Sequence, residues 1–146
     1  MKNIKILFAS LAIFTFWGIP NTVSAQEPVK TVKYNGHSTK FAFLITNAGH
    51  FHRVVGTAEK MDIKKNNFSF EIVVGGKLAK DLAENKELIT VIDKAEKLGV
   101  KIVVCEEALS HFKVQKSTLD KRLLTTPNAW IYMFELKDKG FNTLSL

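Results

Sequence analysis

The sequence predicts an α/β fold: a three-layer α/β/α sandwich around a mainly parallel, five-stranded sheet. Three observations carry this expectation. Short apolar runs rich in β-formers recur along the chain as FAFLIT, FSFEIVV and VKIVV. Between them lie segments whose apolar residues fall at helical spacing. Strands and helices that alternate in this way build parallel sheets whose crossover helices cover both faces.

The chain opens with a segment set apart from that pattern. Lys2 and Lys5 precede an uncharged apolar run from Ile6 to Ile19, Pro20 breaks it, and Val23-Ser24-Ala25 supplies small residues for cleavage. The run is about 14 residues, short of the roughly 20 that a bilayer-crossing helix needs. Residues 1–25 therefore read as a signal peptide. This predicts an exported protein, periplasmic in a Gram-negative cell and secreted otherwise, with no membrane attachment after cleavage. No cysteine follows the apolar run, which excludes lipid attachment there.

Residues 26–38 form a polar arm with turn signals at Pro28 and Asn35-Gly36. The domain proper spans 39–146. Phe41 to Thr46 is a continuous apolar strand of the kind buried on both faces. Phe51, Val54, Val55, Ala58 and Met61 give an amphipathic helix that ends at Lys64 to Asn67. A second strand covers Phe68 to Val74, broken by Gly75-Gly76, and a short helical piece follows around Leu78 to Leu82.

Leu88, Ile92, Ala95 and Leu98 mark a helix closed by Gly99, the residue type favoured just past a helix end. Val100 to Val104 is the third strand and Glu106 to Phe112 a short helix. A brief fourth strand is expected at Lys121 to Thr125. Thr126 then reads as an N-cap, with Pro127 in the first turn of a helix running through Trp130, Phe134 and Leu136 to Gly140. Asn142 to Leu146 supplies the fifth strand.

Without its leader the chain keeps about 120 residues, enough for one core. The leader holds two of the 21 Lys and Arg residues and none of the 14 acids, so its removal takes the formal charge from +7 to +5. The remaining basic residues are scattered, with short clusters only at Lys64-Lys65 and Lys121-Arg122. No aromatic-interleaved basic stripe is present, so nucleic acid is not an expected partner.

Right-handed crossovers put every strand-to-helix junction on one sheet edge, where α/β proteins hold their ligands. The candidate crevice residues are Asn47, His50 and His52 after the first strand, Gly75 and Gly76 after the second, and Cys105 and Glu106 after the third. Cys105 is the only cysteine in the sequence and can form no internal disulfide. At a helix start the dipole favours its thiolate, whereas Glu106 and Glu107 oppose it. The thiol is either reactive or a small buried hydrophobe.

His50 and His52 diverge if Phe51 points inward, and no third ligand stands near them, so no metal site is expected. Gly75-Gly76-Lys77 is not a phosphate loop. Glu71 stands where its first glycine should be, and Leu78 replaces the hydroxyl residue. The two glycines read instead as a turn that permits close backbone approach. His111 is expected at the surface.

Taken together, FAFLITNAG, FEIVVGGKLAKDL, LGVKIVVCEEAL and ELKDKGFNTLSL resemble the DsrE/DsrF-like (YchN-like) family of sulfur-relay proteins. The likeness runs from about Phe41 to Leu146, and its most specific stretch is the one centred on Cys105. It implies that Cys105 accepts sulfane sulfur as a persulfide and passes it to a partner thiol, with no cofactor. It also implies a homo-oligomer, a trimer or hexamer. Because the chain holds no second cysteine, the resolving thiol must belong to a sulfur donor or acceptor molecule. The alternative is a non-catalytic oligomeric binding protein of the same kind, with Cys105 buried.

Overall fold

The structure, a computed structural model, describes residues 30–146; the expected leader and cleavage site and the first residues of the expected arm lie outside the described residues. Five strands form one sheet: β1 (Lys40–Ile45), β2 (Ser69–Val74), β3 (Lys101–Cys105), β4 (Leu124–Thr126) and β5 (Asn142–Ser145). Their order is β4-β3-β2-β1-β5, and every neighbouring pair is parallel. The expected "mainly parallel" sheet is thus parallel throughout.

The helices are α1 (Ala48–Lys60), α2 (Gly76–Glu84), α3 (Ile89–Leu98), α4 (Glu106–His111) and α5 (Ala129–Asp138). From β1 to β4 the chain advances across the sheet in one direction. Right-handed crossovers therefore lay α1 to α4 on the same face. After β4 the chain reverses, and α5 carries it back to β5 on the far side of β1. The reversal forces α5 onto the opposite face.

The side chains follow this division with the two-residue period of a strand. Phe41, Ile45, Phe70, Ile72, Val74, Ile102 and Val104 point into the main core, against Phe51 and Val55 of α1, Leu78 of α2, Ile92 of α3 and Leu109 of α4. Ala42, Val73 and Cys105 face the other way, onto Ala129, Met133 and Leu136 of α5. One face therefore has four helices and the other a single one. The arm is tied down as well: Val32 N donates to Lys60 O at 2.7 Å, and Tyr34 meets Phe41 and Phe68 edge-on.

Two boundaries differ from expectation. The fourth strand begins at Leu124, because Asp120 to Leu123 is a turn: Leu123 N donates to Asp120 O and Arg122 N to Asp120 Oδ1, each at 3.0 Å. The N-cap of α5 is Asn128, two residues past Thr126; its Oδ1 accepts from Trp130 N and Ile131 N at 2.9 and 3.1 Å. Thr126 instead ends β4, paired with Cys105. Among the described residues no helix is long and apolar enough to cross a membrane.

Candidate functional site

Cys105 and Thr126 are the last residues of adjacent strands. From Cys105 the chain turns into α4 on one face, and from Thr126 it passes through Pro127 into α5 on the other. Adjacent connections that diverge in this way open a gap at the carboxyl edge of the sheet, the place where α/β folds hold ligands. A crevice of about 460 Å³ occupies that edge, lined by Cys105 together with Leu44, Thr46, Gly75, Glu107 and Trp130. Gly76, Ala108, His111, Asn128 and Ala129 complete its lining.

Cys105 is a free thiol, 6% exposed. Its Sγ lies 3.9 Å from Pro127 O, a weak S–H donor contact. The same loop is held by Glu107 N, which donates to Pro127 O at 3.3 Å. Asn128 closes the frame: its Oδ1 caps α5 while its Nδ2 donates to Glu107 Oε2 at 2.7 Å. One side chain thereby fixes both helix starts that flank the thiol.

On the opposite wall, the β2–α2 turn approaches β1 closely. Gly75 N donates to Ile45 O at 2.9 Å and Leu78 N to Thr46 O at 3.0 Å. Gly76 has φ +54°, and a Cβ there would stand 3.1 Å from Thr46 Cβ. The close approach expected of the glycine pair is made by Gly76. At Gly75 a Cβ would meet nothing nearer than 3.9 Å.

Of the residues the sequence brings to this edge, Cys105, Gly75 and Gly76 line the crevice, while Asn47, His50, His52 and Glu106 stand outside its lining. Each has another occupation. Asn47 caps α1, accepting from His50 N at 2.9 Å, and its Nδ2 lies 3.0 Å from His50 Nδ1. His52 is exposed on α1, because Phe51 is fully buried and turns its neighbours away. Glu106 accepts from Lys116 Nζ at 2.7 Å and Thr125 Oγ1 at 2.6 Å. The bond from Lys116, then that from Thr125, lowers its pKa below the usual carboxylate range. Among the described residues no three His, Cys, Asp or Glu side chains gather as a metal site.

The carboxylate that faces the thiol crevice is therefore Glu107. His111, four residues on, joins it on the lining while remaining exposed. Trp130 and Asn128 escape sequence reasoning because the fourth strand is only three residues long and the cap falls two residues late. The Pro127-Asn128 pair, read as a loop followed by a capping side chain, is the signal that points to them.

No family model matches the chain, and no curated protein matches it. Solved structures do. A protein of unknown function, BT1422 from Bacteroides thetaiotaomicron, superposes with a TM-score of 0.61 at 19% identity, over 74% of this chain and 95% of its own. Another protein of unknown function, MTH1491 from Methanobacterium thermoautotrophicum, gives a TM-score of 0.60 at 11% identity, over 73% of this chain and 98% of its own. At these identities the likeness is one of fold.

Proposed function

We propose that the chain is an exported sulfur carrier of the DsrE/DsrF-like kind, a sulfurtransferase-like protein that holds sulfane sulfur as a persulfide on Cys105. One observation carries the reading: the sole thiol lies on the wall of a crevice at the carboxyl edge of a parallel sheet, beside the point where the chain reverses. The Cys105 thiolate attacks the outer sulfur of a donor persulfide, R–S–SH. The donor's S–S bond breaks, Cys105–S–SH forms, and the donor leaves as R–S⁻. An acceptor thiolate then takes the same outer sulfur and restores the Cys105 thiolate. Sulfur moves without net oxidation or reduction, so no cofactor is required.

The same proposal includes a homo-oligomer. Trp130, Ile131 and Phe134 of α5 are 68%, 59% and 68% exposed, and an apolar face of this kind on one helix suits contact between copies.

The test is intact mass after incubation of the folded protein with excess polysulfide. The expected result is a gain of sulfur that thiols reverse and that Cys105→Ser abolishes. A second reading, the oligomeric binding module with a core cysteine, draws on the 6% exposure of Cys105. It wins if sulfur is gained only in denaturant.

A further inference from the structure

The crevice has a charge signature that bears on its reaction partners. Among its lining residues there is no Lys or Arg, in a chain whose formal charge is +7. Two lysines close in sequence to lining residues are engaged elsewhere: Lys77, next to Gly76, with Asp81, and Lys116 with Glu106. The one full charge on the lining is the Glu107 carboxylate. Its hydrogen-bond donor among the described residues is the neutral Asn128 amide, and no Lys or Arg there pairs with it. Apart from His111 and Asn128, the rest of the lining is apolar or small, the Trp130 indole and Leu44 included.

Sites built for anionic sulfur donors place guanidinium or ammonium groups against the ligand. This one does the reverse, and Trp130 adds a π face that attracts cations. Resting on the sulfur-carrier reading, we infer that the donors and acceptors at Cys105 carry a positive charge close to the reacting sulfur. The chemical class is an aminothiol, or a cysteine flanked by lysine or arginine on a partner chain. Thiosulfate and acidic thiols are disfavoured. The basic outer surface draws anions at long range, but within the crevice Glu107 is the near charge.

Disulfide exchange tests this with matched probes. Cystamine (dication), hydroxyethyl disulfide (neutral) and dithiodiglycolate (dianion) each react with the full chain at about pH 8. In every case the thiolate forms one S–S bond, the probe's own S–S bond breaks, and half of the probe leaves as a thiolate. Glu107→Gln keeps an acceptor for Asn128 and removes only the charge. A unit charge on the lining of a water-filled mouth changes such rates by about threefold. The variant should therefore react about threefold more slowly with cystamine and about threefold faster with the dianion, relative to the neutral probe. The difference should vanish in about 1 M salt.

Equal variant-to-native ratios for all three probes overturn the charge inference and leave the carrier reading standing. No reaction of the folded chain with any probe overturns both. Short cysteine peptides flanked by lysine, presented as disulfides, separate the two sources. A rate above that of cystamine assigns the partner to a chain segment, and a rate at or below it to a small aminothiol.

Discussion

At the scale of single residues, Gly76 is a position with little latitude. Its φ of +54° lies in the left-handed region, and any Cβ would press on Thr46 at 3.1 Å. Gly76→Ala should cost about 1–2 kcal/mol from the left-handed conformation alone, read as a lower denaturant midpoint. Gly99→Ala shares the left-handed φ but meets nothing within 4 Å, so it should cost less than the Gly76 change. An equal or smaller loss at Gly76 would show that Thr46 yields freely. Legibility of the site in the sequence follows the same logic. Cys105 and the glycine pair end apolar runs, and a pattern that breaks abruptly betrays a sheet edge. Glu106 and Glu107 are adjacent acids that sequence cannot rank. The lysine and threonine that draw Glu106 away stand ten and nineteen positions further on.

Among elements, α3 and the turn before β4 are joined by one guanidinium. Arg122 donates to Asp120 at 2.7 Å, Asp93 at 2.6 Å and Glu96 at 2.9 Å. The bonds from Arg122 hold the Asp120 carboxyl down to about 2, from an ordinary 3.8. A depressed carboxyl contributes stability above its unfolded value and loses it as pH falls through the folded one. Asp120→Asn should thus be less stable near neutrality by about 1 kcal/mol or less, the scale of an exposed ion pair. The deficit should close as pH falls from about 4 to about 2. Thermal melts across that range check the prediction, and a deficit that persists at the acid end would refute it.

Helix α5 is fastened differently. Tyr132 Oη donates to Glu71 Oε2 at 2.8 Å, and Lys101 Nζ to Glu71 Oε1 at 3.2 Å. Burial pulls the lysine down, but bonding to Tyr132 and Glu71 outweighs it and leaves its pKa raised. Burial and the bond to Glu71 raise the Tyr132 phenol. The sequence conceals this clamp, because Glu71 sits inside an apolar strand and its partners lie 30 and 61 positions away. It also conceals the orientation of α5, whose AWIYMFEL is apolar nearly all round and so leaves either face eligible for the core.

On the scale of the whole molecule, the architecture is legible because alternating strands and helices admit few right-handed arrangements. Strand order is harder to read. Nothing in the terminal strand NTLS says that it joins β1 rather than β4, and that choice sends α5 to the second face. As the lone helix there, α5 presents Trp130, Ile131 and Phe134 outward. If the proposed homo-oligomer is the trimer or hexamer that the resemblance implies, the chain should run as that assembly in size-exclusion chromatography with light scattering. The Ile131→Lys, Phe134→Lys double variant should run as a folded monomer. A monomeric native chain, or an unchanged assembly in the variant, would remove α5 as the contact.

Trp130 also has an optical consequence. The sequence holds two tryptophans, Trp17 within residues 1–25 and Trp130 on the crevice wall. Without residues 1–25 the chain carries a single indole, on the same crevice lining as its single thiol. Tryptophan emission from that form is thus a label-free signal from one location, through which the proposed sulfur loading and contact between copies can each be tested.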